Sequence, residues 1–115
     1  MGANDMWAKI IGIVLLIVGI VGFFTGGNLV GFNVNALHNV IHVVTGALFV
    51  YAGFASKGKQ APMYNKTLGI IYLLVAVIGF LGISAFNDLL AINTADNWLH
   101  LVIAAISIIV GFWSK

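Results

Sequence analysis

The sequence predicts an all-α, four-helix transmembrane bundle, and three observations carry that expectation. Of 115 residues, 62% are hydrophobic and 7% charged, where a soluble domain carries roughly 25% charged residues. The mean hydropathy is +1.12. The apolar residues also gather into four runs, each near the roughly 20 helical residues that cross a bilayer core about 30 Å thick. None of the runs alternates as a barrel strand does, and a helix satisfies its own backbone in lipid.

The four spans are expected at residues 7–24, 36–55, 67–85 and 94–113. The second and fourth reach full length only if their Asn/His-bearing first turns belong to the helices. The first is expected to stay in the mature chain. No small-x-small cleavage site followed by a polar segment appears, and the third span repeats the first. Between the third and fourth spans, Asp88 is expected in a short interfacial turn.

The chain reads as two copies of one helical hairpin. Lys9, Gly12, Gly22 and Phe23 return as Lys66, Gly69, Gly79 and Phe80, at a spacing of 57. Asn35, His42, Gly53 and Phe54 return as Asn93, His100, Gly111 and Phe112, at a spacing of 58. The expected organisation is a single membrane domain, 1–115, with repeat 9–54, linker 55–65 and repeat 66–112. Pro62 is placed in that linker, outside any helix. Two spans per copy give both copies the same orientation, hence a pseudo-twofold axis along the membrane normal.

Charge sets the orientation. The basic residues are Lys9, Lys57, Lys59, Lys66 and Lys115, all on the side shared by the termini and the middle loop. The positive-inside rule places that side in the cytoplasm of a multi-pass plasma-membrane protein. Asp88 and Asp96 fall on the outer side. There are no arginines and no basic stripe among aromatics, so nucleic acid is not an expected partner. Cysteine is absent, which removes disulfides and thiolate ligands. Trp7, Trp98 and Trp113 lie near span ends and read as interfacial anchors.

The most informative residues are a doubled polar frame. Asn35, His38, Asn39 and His42 recur as Asn93, Asp96, Asn97 and His100. At helical spacing they share one stripe, which continues through Gly46, Phe49 and Gly53 in the second span and Ala104, Ser107 and Gly111 in the fourth. Small residues let helix backbones approach closely. The second and fourth helices are therefore expected to meet near the axis, with cysteines at 46 and 104 cross-linking. The glycine faces also suggest a homo-oligomer or a membrane-protein partner beside the lipid bilayer.

The motif Asn35-x-x-His38-Asn39-x-x-His42-x-x-x-Gly46, with Ala95-Asp96-Asn97-x-x-His100 in the second hairpin, resembles a family of small prokaryotic four-span membrane proteins. That family is catalogued as a domain of unknown function. The resemblance covers 9–112 and implies a membrane bundle with no assigned activity.

Four readings of the frame follow. Structurally, Asn35 and Asn93 suit helix N-caps, Asp96 completes a capping arrangement, and the remaining Asn and His side chains join helices by hydrogen bonds. This needs no cofactor. As a metal site, His38 with His42 and Asp96 with His100 are i, i+4 pairs that together offer three imidazoles and a carboxylate to zinc. Asn39 and Asn97 would then support those ligands. As a haem b site, His42 and His100 are the axial pair of an electron carrier. As a pH-responsive element of a channel-like oligomer, His38 and Asp96 form a titrating ion pair. No nucleophile elbow, phosphate loop or dinucleotide fingerprint is present, so an enzyme is not the expected class.

Overall fold

The structure, a computed structural model, describes residues 2–114; Lys115, counted above with the cytoplasmic lysines, lies outside them. Helix α1 spans Ala3–Gly22, and a two-stranded ribbon of β1 (Asn28–Leu29) and β2 (Phe32–Asn33) follows. Helix α2 spans Ala36–Phe54 and ends in a 3₁₀ turn, Ala55–Gly58. Helices α3 (Ala61–Phe80), α4 (Ser84–Leu90) and α5 (Thr94–Trp113) complete the chain. The four long helices, α1, α2, α3 and α5, are each long and apolar enough to cross a membrane. The molecule is an all-α bundle of two helical hairpins.

Local chemistry explains where the boundaries moved. Helix α3 begins six residues before the expected start and takes Pro62 into its first turn. Proline is tolerated there because the first N–H groups of a helix have no intrahelical partner. Pro62 is thus a helix starter, not a linker residue. The same helix stops at Phe80, five residues early. Gly82 just beyond it adopts φ +71°, a left-handed conformation that favours glycine. The expected interfacial turn around Asp88 is instead the short helix α4, closed by Ala91 at φ +53°. The first hairpin has a different tip. Asn28 pairs with Asn33 and Leu29 with Phe32, around Val30 (φ +50°) and Gly31 (φ +92°), as a type I′ turn requires.

Close backbone approach occurs within each hairpin, α1 on α2 and α3 on α5. Glycine permits it. A Cβ on Gly12 would stand 2.7 Å from the Val50 nitrogen and 2.9 Å from the Gly46 oxygen. A Cβ on Gly46 would stand 2.8 Å from the Leu16 nitrogen. In the second hairpin, a Cβ on Gly69 would stand 3.0 Å from the Cβ of Ser107. At the lysine end, Lys9 Nζ lies 4.8 Å from the Phe54 ring centre and Lys66 Nζ lies 5.1 Å from that of Phe112. Each hairpin thus carries the same cation–π contact.

This packing corrects one expectation. Gly46 faces α1, and the extensive close packing of backbones lies within the hairpins, not between α2 and α5. A Cβ at position 46 would point at Leu15 and Leu16 of α1 rather than at α5. The helical glycines are buried inside the hairpins, so they offer no face for self-association. Between the hairpins the core is made of larger side chains: Leu15, Phe49, Leu68, Tyr72 and Ile103, with Ala104 among them. Trp7 is also corrected. It is half-buried and donates from Nε1 to Ser107 Oγ at 2.8 Å, joining α1 to α5, whereas Trp98 and Trp113 are exposed.

A small polar lock closes the lysine end. Asn65 Nδ2 donates to both the backbone oxygen and Oδ1 of Asn4 at 3.0 Å, and Asn4 Nδ2 donates to the Ser114 oxygen at 3.0 Å. The outward faces carry Ile10, Ile17, Val44, Leu74 and Ile109, all exposed. Lipid tails cover such a surface in a membrane.

Candidate functional site: a buried three-histidine layer

The doubled frame lies at the end of the bundle opposite the lysine-bearing linker. Each copy starts a helix. Asn35 Oδ1 accepts from the His38 backbone N–H at 2.9 Å, and Asn93 Oδ1 accepts from that of Asp96 at 2.9 Å. Asp96 Oδ2 accepts in turn from the Asn93 backbone N–H at 2.9 Å. Helix α5 therefore carries a full capping box, whereas α2 carries only half of one.

The two caps also reach across the molecule. Asn35 Nδ2 donates to the Leu89 oxygen at 2.9 Å, and Asn93 Nδ2 donates to the Gly31 oxygen at 3.0 Å. Each hairpin thus donates a hydrogen bond to the tip of the other. The next positions do likewise. His38 Nδ1 donates to the Leu90 oxygen at 2.9 Å, and the Asn33 backbone lies against the Asp96 carboxylate.

Asn39 and Asn97 serve a different contact from the one expected. The Asn39 amide oxygen occupies the place a Cβ would take on Gly22, and the Asn97 amide oxygen does the same at Gly79. Neither oxygen has a conventional hydrogen-bond partner, so each meets a glycine Cα–H, a weak but recurrent helix-interface contact. They hold each hairpin together rather than supporting the histidines.

Between the hairpins the three imidazoles converge. His38, His42 and His100 are all buried, and one ligating nitrogen from each lies within 4.8 Å of the others. The His38 and His42 ring centres are 4.4 Å apart, and His100 stands 5.5 and 6.0 Å from them. His38 Nε2 and His42 Nε2 are 3.1 Å apart. The carbonyl of Leu90 fixes the tautomers. His38 must carry its proton on Nδ1, so in the neutral ring Nε2 is a lone pair and His42 Nε2–H donates to it. The Nδ1 atoms of His42 and His100 are buried without partners.

This geometry suits an ion better than a macrocycle. Zn–N bonds of about 2.0–2.1 Å put two tetrahedral ligands roughly 3.3 Å apart, close to the 3.1 Å between His38 and His42. A backbone carbonyl orienting Nδ1–H is the usual support for an Nε2 ligand. Beside the rings lies a cavity of about 50 Å³, room for an ion with a few waters. His38 touches both other rings, which leaves no slot for haem between His42 and His100. Asp96 stays in its cap, outside the histidine group. Its carboxylate is engaged by the Asn93 backbone N–H rather than by His38.

Sequence reasoning missed Thr45 and Tyr72. The Tyr72 hydroxyl and Thr45 Oγ1 are 2.8 Å apart. Thr45 donates to the Ile41 oxygen at 2.8 Å, so Tyr72 is the donor to Thr45. The Tyr72 ring centre lies 5.6 Å from that of His100. A signal was available: at the repeat spacing Tyr72 stands where the first hairpin has Leu15, and Thr45 where the second has Ile103.

Fold and site together define a small four-span membrane protein with a buried polar layer at one end of its bundle. The chain belongs to the DUF4383 family, described as a domain of unknown function, which matches residues 6–113. No curated protein and no solved structure matches it.

Proposed function

We infer that this is a multi-pass protein of the cell membrane whose outer polar layer joins two duplicated hairpins around one divalent transition-metal ion held by His38, His42 and His100. The observation that carries the reading is the convergence of three buried imidazoles within 4.8 Å. Neutral imidazole suits zinc, copper, nickel or iron, and not magnesium or calcium. Three protein ligands leave a fourth position for water, as in catalytic zinc sites. Metal bound between α2 and α5 would also clamp the hairpins where their backbones stand apart.

The matching Lys–Phe contacts and Asn–Gly contacts support duplication of one hairpin. The lysines at one end support cytoplasmic termini. A single cysteine at 59 should resist membrane-impermeant labelling from outside, and one at 88 should react.

Metal analysis tests the site. Purified protein should bind one zinc or cobalt(II) per chain, with a tetrahedral cobalt spectrum. Zinc at 100 times its Kd should add about 2.7 kcal/mol of stability. Absence of stoichiometric metal, with melting unchanged by added zinc, would overturn the proposal.

A further inference from the structure

The histidine layer has a cleft on either side, and the two clefts are lined at equivalent positions. One is walled by α2 and α3 and holds Thr45, Tyr72, His38 and His100; the other is walled by α1, α5 and the β-ribbon and holds Ile103, Leu15 and Asp96; His42 borders both. Each pair, such as Tyr72 with Leu15 or Thr45 with Ile103, is separated by 57 or 58 residues. The contents differ. The first cleft is filled by the Tyr72 phenol and retains about 50 Å³, whereas the second retains about 270 Å³.

We propose that the cleft between α1 and α5 binds a hydrophobic phenol or quinol, whose ring takes the place that Tyr72 fills in the opposite cleft and whose hydroxyl bonds to His42. Among the described residues, only His42 and Asp96 bring polar groups to an otherwise aliphatic and aromatic lining. His42 is 2% exposed and its Nδ1 is buried without a partner. The tautomer set by Leu90 makes that Nδ1 an acceptor, and the Asp96 carboxylate accepts as well. In the metal-free protein the cleft therefore calls for a donor on an apolar body, which excludes a plain acyl chain or a quinone as the matched ligand of that state. An unmet buried acceptor is costly, so a hydroxyl that meets it adds both affinity and selectivity. The reading stands without metal. With an ion on Nε2 the His42 proton moves to Nδ1, and a hydroxyl can accept from it.

The test uses the full chain in lipid nanodiscs with ¹⁵N-histidine, whose only three imidazoles make the His42 Nδ1 signal readable. 4-Hexylphenol should bind one per chain, shift that signal, and bind about tenfold tighter than hexylbenzene after correction for partitioning. Leu15→Tyr should fill the cleft and abolish binding. Tyr72→Leu should open the opposite cleft and raise the stoichiometry to two. Equal binding of phenol and hydrocarbon, or a stoichiometry indifferent to both substitutions, would overturn the proposal. A ubiquinol analogue and a long-chain alcohol separate aromatic from aliphatic donors; tighter binding of the alcohol would also overturn it.

Discussion

The two hairpins differ most where they look most alike. Both close on themselves through a glycine and an amide, Gly22 with Asn39 and Gly79 with Asn97. Both send a cap across to the other's tip. Yet one tip is a β-ribbon and the other a short helix, and one cleft is filled by a phenol while the other is open. The features that hold the bundle together are the same in both hairpins. The features that face the histidines differ. Two similar hairpins thus surround an asymmetric centre.

The largest expected effect falls on the shared part. Gly22→Leu and Gly79→Leu each place a side chain where an amide oxygen now sits. Each should cost more than about 3 kcal/mol, beyond ordinary core overpacking, in unfolding measured in detergent. A large loss in one hairpin with none in the other would break the equivalence. Next come the divergent residues at the third helical position. His38→Ala should weaken zinc binding at least tenfold, whereas Asp96→Ala should leave it unchanged and cost about 1 kcal/mol through the lost cap. Zinc titration and melting of both variants separate the two roles.

The crossing caps should have equal effects. Asn35→Ala and Asn93→Ala should each cost about 1–2 kcal/mol, since each loses a cap and a bond to the opposite tip. Smallest of all, Tyr72→Phe should cost about 0.6 kcal/mol, because Thr45 keeps its bond to Ile41. A loss above about 2 kcal/mol would mean that the hydroxyl holds more than Thr45.

Much of this was legible in the sequence, for reasons that differ by residue. Asn93 and Asp96 announce a capping box by spacing alone, and the start of α5 followed from it. The fourfold apolar pattern gave the bundle. The ends of α3 were misjudged because Pro62 and Gly82 act through backbone geometry, which composition does not display. The assignment of the small stripes failed for a deeper reason. Gly46 lies on the same helical stripe as His42, but α2 has two neighbours, and periodicity does not say which receives the glycine. Trp7 illustrates the same limit: proximity to a span end suggested the interface, yet a serine on α5 holds its indole. The doubled frame brings His38, His42 and His100 together, whereas the spacing that pairs Asp96 with His100 does not show that its carboxylate is taken by the cap.

The crossing caps have a consequence in time. The amide of Asn35 reaches an acceptor 54 residues further along the chain. Synthesis at about 5–20 residues per second therefore separates donor from acceptor by roughly 3–10 s. During that interval the first hairpin sits in the membrane with its histidine-side turn unfinished, and Gly31 likewise waits for Asn93. The second hairpin arrives to find its docking points already displayed. A neighbouring nascent copy offers the same points, so crowded synthesis favours exchange of hairpins between chains, and dilute synthesis favours the closed monomer.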